Sequence, residues 1–206
     1  MNMNESRKVI SLKDLILDVM LSCVMLAIAL VITPLAQGLG VLWGSVVSIG
    51  GASLICGTIY VLMVSKAPHI GTYMMPFLIY AIFATVSGTL MTGVIFVIMG
   101  IVAEVVMIGG RGKKWRSYVP YVLFWLCYSF AATLQAIFMY DSLVSTYMGM
   151  GMDETTATAA VEAFVTVYCA PSTVLIFAVA AIGCSLVGYF IGTKALHKHF
   201  KAAGIA

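Results

Sequence analysis

The sequence predicts an all-α integral membrane protein, a six-transmembrane-helix bundle with both termini cytoplasmic. Six long apolar runs divide the chain, and all eleven Lys and Arg residues fall in four short clusters that recur after every second run. Composition agrees: 62% of residues are hydrophobic and 9% charged, against about 25% charged in soluble domains. Too few polar groups remain to coat a globule in water, so lipid is the natural solvent.

A spanning helix needs about 20 mostly apolar residues. The first run, Leu15 to Leu35, follows Lys13, Asp14 and Asp18 and has no small-residue cleavage site, so it reads as a retained helix and not as a signal peptide. The second covers Val41 to Val64. The third, Gly71 to Val86, is short and crosses only if the bilayer thins or the helix borrows from its flanks. Ser87, Gly88 and Thr89 then make a tight turn into the fourth, Leu90 to Ile108. The fifth runs from Tyr118 to Tyr140 and the sixth from Tyr168 to Gly192. Between these two, Asp153 to Val165 reads as a capped short helix with one apolar face, lying over the outer mouth of the bundle either as a solvated loop helix or as a lid or wall of a binding site. No repeat or linker divides residues 1–206, which read as a single membrane domain.

The basic clusters set the orientation, because basic loops stay on the cytoplasmic side. They are Arg7, Lys8 and Lys13; Lys66; Arg111, Lys113, Lys114 and Arg116; and Lys194, Lys198 and Lys201. The connections near 37–40, near 87–89 and from 141 to 168 therefore face outward, and the last holds four of the eight acidic residues. The net charge of +3 reports this topology and attraction to anionic lipid. It does not point to nucleic acid, because no basic patch is interleaved with aromatics.

Chemistry-bearing motifs are scarce. Cysteines 23, 56, 127, 169 and 184 have no C-x-x-C spacing, so neither a disulfide framework nor a metal site is expected. His69, His197 and His199 all fall in cytoplasmic segments. The glycine-rich stretch at 109–114 lacks the Ser/Thr and the preceding strand of a phosphate loop and reads as a cytoplasmic turn. No catalytic residue and no cofactor is expected. Glu104 is read as the one ionisable residue within a span, near its inner end, where it reaches the interface or pairs with Arg111 or Arg116.

The outer halves of the spans carry polar but uncharged groups, which suits a neutral or amphipathic ligand. The expected contacts are Trp43, Tyr80, Thr89, Gln135 and Tyr140, with Asp141, Tyr147 and Glu162 towards the rim. Gln135 leads this set, since an amide in an apolar span needs a partner. Tyr147, Met148, Met150 and Met152 form an outer loop rich in thioethers, which suit lipid contact, soft metals or a haem iron.

The tail from Gly188 to Ile205 resembles the ending of the Trep_Strep family, substrate-capture (S) components of energy-coupling factor (ECF) transporters. Lys13 to Ile16, Pro68 to Gly71 and the Ala103-Glu104 pair are further echoes. The resemblance implies a six-helix S component in the cell membrane that captures a scarce micronutrient at its outer face; the expected ligand is vitamin-like or otherwise hydrophobic, with haem as the sharper expectation from the Met/Tyr loop. It also implies partners, an ECF coupling transmembrane subunit and two ABC ATPases that power uptake. Cys23 and Ala27, beside Ala29, stand where such components often present an Ala-x-x-x-Ala pair for docking. Gly88 and Thr89 stand where relatives often place a histidine. A membrane scaffold and a lipid-modifying membrane enzyme are the alternatives.

Overall fold

The computed structural model describes residues 11–66, 69–108 and 116–200, and every regular element among them is helical. In chain order these are α1 (Leu12–Gln37), α2 (Val41–Lys66), α3 (Met75–Val86), α4 (Leu90–Met107), α5 (Tyr118–Phe138), α6 (Tyr140–Gly149), α7 (Glu154–Tyr168) and α8 (Pro171–Ala195), with a π-helical turn over Leu196–Phe200. Arg7, Lys8, Pro68, the 109–114 stretch and the tail beyond 200 lie outside the described residues.

Five helices, α1, α2, α4, α5 and α8, are long and apolar enough to cross a membrane. The expected third span is different. Its helix, α3, has 12 residues, about 18 Å at 1.5 Å per residue, against a hydrocarbon core of about 30 Å. Residues 69–74 before it are turn rather than helix, yet His69, Thr72 and Tyr73 are buried. Non-helical backbone is tolerated at membrane depth only where protein shields it, and α1 and α4 supply that cover.

Two boundaries also differ from the sequence expectation. The fifth helix stops at Phe138, with Met139 leaving helical geometry at φ −131° and ψ 31°. Tyr140 then opens α6, a polar helix in which the Ser145 and Thr146 hydroxyls donate to carbonyls four residues back. The last helix starts at Pro171 rather than Tyr168, because Ala170 is extended and proline, lacking an N–H, suits a first turn. The capped helix expected between the last two spans does form, as α7. The Asp153 carboxylate accepts the Thr156 N–H at 3.1 Å, and Ala157 and Val161 are fully buried beneath it.

Side by side, α2 and α8 make the tightest seam. A Cβ on Gly57 would lie 2.1 Å from the Gly188 carbonyl oxygen, and one on Gly192 2.5 Å from that of Gly57. Only glycine lets these backbones approach so closely. Around the seam packs an aromatic core in which Tyr60, Phe77, Phe96, Tyr121, Trp125 and Phe177 are fully buried. Phe124 meets Phe77 edge-on at 5.3 Å, tying α5 to α3.

Helix direction alternates, so Lys13, Lys66, Arg116 and Lys194 gather at one end. Contacts there join distant segments: the Tyr60 hydroxyl donates to the Ser117 carbonyl at 2.9 Å, and the Ser117 and Tyr189 hydroxyls are 2.6 Å apart. The opposite end carries the 38–40 and 87–89 turns together with α6 and α7. At the second turn, Thr89 N–H bonds the Ala84 carbonyl and Gly88 N–H that of Thr85. This double bond pattern needs a left-handed residue, which Gly88 supplies at φ +83°.

Candidate functional site

A cavity of about 220 Å³ opens among α1, α2, α5, α7 and α8 in the half of the bundle away from the basic clusters. On α5, Tyr128, Ala131, Ala132 and Gln135 all line it, and their spacing of three, four and seven residues puts them on one helix face. The two alanines leave the space that larger residues would fill. Ser45 and Ser48, three residues apart on α2, form the facing wall, while Thr33 of α1, Tyr168 of α7 and Phe177 of α8 close the sides.

The hydroxyls are held in fixed bonds. Thr33 Oγ1 donates to the Ala29 carbonyl at 2.7 Å and also touches Ser48 Oγ at 2.7 Å and the Tyr128 hydroxyl at 2.6 Å. Ser45 Oγ donates to the Val41 carbonyl and meets the Tyr168 hydroxyl, both at 2.8 Å. Thr133 Oγ1 donates to the Tyr168 carbonyl at 3.1 Å, anchoring the end of α7 to α5. Among the described residues, no charged side chain lines this cavity.

Of the residues expected to bind ligand, Gln135 lines the cavity. Tyr80 stands behind its wall, buried, with its ring stacked on Phe96 at 5.2 Å and edge-on to Tyr128 at 5.4 Å. Trp43, Asp141 and Glu162 are exposed, Tyr140 and Tyr147 are half-buried on α6, and Thr89 donates to the Ala84 carbonyl in its turn. Thr33, Tyr128, Ser129, Tyr168 and Phe177 are among the lining residues that sequence reasoning missed. The available signal was the seven-residue interval from Tyr128 to Gln135, two helical turns on one face. On α1, Cys23 and Ala27 are exposed together, whereas Ala29 is fully buried against the bundle.

A second polar cluster lies at the basic end. Asp18 is fully buried in α1, and its Oδ2 is 3.2 Å from Nε2 of His69. His69 Nδ1 lies 2.9 Å from the Ile70 carbonyl and 3.3 Å from Thr72 Oγ1. Glu104 Oε1 accepts the Gly71 N–H at 3.0 Å. One expectation is corrected here: Asp18 joins Glu104 as an ionisable residue within a helical span, and Glu104, half-buried near the inner end of α4, also reaches the 69–74 backbone. The signal for Asp18 was its place inside the first apolar run, one turn past Asp14. Arg111 lies outside the described residues. Among the described residues, no group of three or more His, Cys, Asp or Glu side chains could hold a metal ion.

Apolar helices of spanning length around an uncharged polar cavity define a multi-pass integral membrane protein. Residues 12–202 match the family model described as hypothetical bacterial integral membrane protein (Trep_Strep), and the chain belongs to that family. Comparison with curated proteins and with solved structures finds no match.

Proposed function

We propose that the chain is the substrate-specific S component of an ECF-type ABC importer in the cell membrane. Six crossings, the third completed by the buried 69–74 segment, leave both termini and the basic end in the cytoplasm. The observation that carries this reading is the uncharged polar cavity at the end opposite the basic clusters, beneath the capped helix α7. Such a chamber binds from the outer face and performs binding without turnover. With no nucleotide-binding motif in the sequence, accumulation against a gradient needs an external motor, a coupling subunit with two ABC ATPases. The exposed face of α1 around Cys23 and Ala27 offers small residues for close helix approach to that subunit.

The ligand is a vitamin-like micronutrient. At about 220 Å³ the cavity falls below the roughly 300–1,000 Å³ of drug-sized pockets, which favours a one-ring molecule over a porphyrin. Met148, Met150 and Met152 are exposed and do not line it.

Co-expression with a coupling subunit and two ATPases, followed by pull-down in mild detergent, tests the assignment. Recovery of all three partners with the chain is expected. Recovery of the bare chain, or vectorial uptake by the isolated chain in liposomes, overturns it.

A further inference from the structure

Six hydroxyl groups line the cavity, those of Thr33, Ser45, Ser48, Tyr128, Ser129 and Tyr168. A hydroxyl has one proton to donate and two lone pairs to accept with, so their bonds can be assigned by elimination. Thr33 donates to Ala29, Ser45 to Val41 and Ser129 to Leu126, each to a backbone carbonyl. The proton between Thr33 and Ser48 must then come from Ser48, and that between Thr33 and Tyr128 from Tyr128. By the same logic Tyr168 donates to Ser45. Every hydroxyl proton on the wall is therefore directed into protein. Thr33 has also filled both lone pairs, while the other five hydroxyl oxygens keep acceptor capacity.

The hydroxyls of this wall accept and do not donate. Gln135, and Gln37 at the exposed rim, can accept as readily as donate, so they leave the balance unchanged. Charge narrows the choice further. Among the described residues no Lys, Arg or His lines the cavity, so an anion finds no charged partner; no Asp or Glu lines it, so a buried cation finds none either. Tyr128, Tyr168 and Phe177 give flat apolar faces for a ring.

We infer that the cavity takes a small, uncharged, one-ring ligand that donates hydrogen bonds through N–H or O–H groups. This rests on the reading of the cavity as the binding site. Carboxylate- and phosphate-bearing molecules are rejected by unpaired lone pairs, and neutral molecules with methylated donors by unmet acceptors.

Binding of four probes to the full chain in lipid nanodiscs tests this, with partition into empty nanodiscs subtracted. The probes are benzamide, N,N-dimethylbenzamide, benzoate and benzylammonium. Benzamide is expected to bind about tenfold more tightly than its dimethyl analogue, the effect of one or two net hydrogen bonds, and more tightly than either ion. Thr33→Val removes the shared acceptor and frees the Ser48 and Tyr128 protons to point into the cavity, so the preference for benzamide should fall to about threefold or less. Equal binding of the amides, tighter binding of either ion, or no measurable binding of benzamide would each overturn the inference. If Thr33→Val does not fold, the ranking in the unmodified chain decides alone. Correct ranking without recovery of coupling partners sinks the transporter reading and leaves this one intact; recovery of partners without the ranking does the reverse.

Discussion

Asp18 shows how one carboxyl group can hold an irregular segment in place inside a membrane protein. It is fully buried and contacts His69 Nε2 at 3.2 Å, and His69 opens the non-helical stretch that precedes α3. Removing one partner leaves the other buried without compensation, typically a loss of 3–5 kcal/mol. Asp18→Ala and His69→Ala are each expected to destabilise the fold by about 3 kcal/mol. The double variant should be less destabilised than the two losses added, since each single change already removes the contact. Thermal unfolding in mild detergent, read by a thiol-reactive dye on buried Cys56 and Cys127, measures all three. Full additivity would mean that the two side chains act independently. The sequence showed Asp18 only as one of three charges at the start of a run, because its partner is distant in the chain and brought near by the fold.

Among the helices, α7 depends on its cap and α8 on its glycines. The Asp153 carboxylate accepts bonds from the Thr155 hydroxyl and from the hydroxyl and N–H of Thr156, and these hold its pKa well below the ordinary 3.8. A group with a depressed folded-state pKa lends stability that is present above its unfolded pKa and lost as pH falls through the folded value. The cap should thus be intact at pH 5 and begin to weaken only below the ordinary 3.8. Asp153→Ala should raise hydrogen exchange in the first turn of α7 at every pH above that. Exchange rates equal to those of the unmodified chain would show that the cap contributes nothing. The pair α2 and α8 gives a contrast between two glycines, one on each helix. Gly57→Leu puts a side chain where even a Cβ meets the Gly188 carbonyl at 2.1 Å, whereas a Cβ on Gly183 meets nothing within 4 Å. Gly57→Leu is expected to abolish the monodisperse peak in size-exclusion chromatography. Gly183→Ala should leave that peak and add about 0.5–1 kcal/mol of stability, the usual gain from replacing glycine in a helix.

Taken as a whole, the bundle was legible from sequence where apolar length decides and obscure where convergence in space decides. The five long helices lie close to the expected runs because burying an unbonded backbone in lipid is forbidden, and length of apolar sequence reports that directly. The break at Met139 was hidden, since no Gly or Pro marks it and Tyr140 can still close an apolar span. The burial of the turn at 69–74 was hidden because the groups that hold it, Asp18 and Glu104, are distant in the chain. In the cavity, Gln135 stood out as a lone amide, but Thr33 and Tyr128 looked like ordinary packing until α1 and α5 were side by side. The remaining expectation concerns parity. The described basic residues Lys13, Lys66, Arg116 and Lys194 share one end of the bundle only if the chain reverses direction at every connection. An α3 of 12 residues is the element on which an even number of crossings depends. In a background without native cysteines, Ser142→Cys and Leu12→Cys occupy exposed positions on opposite ends. An impermeant thiol reagent on intact cells should label position 142 and leave position 12 unlabelled until the membrane is opened. Labelling of both from outside would mean that α3 and its flank fail to complete a crossing, and labelling of position 12 alone would reverse the orientation that the positive charges predict.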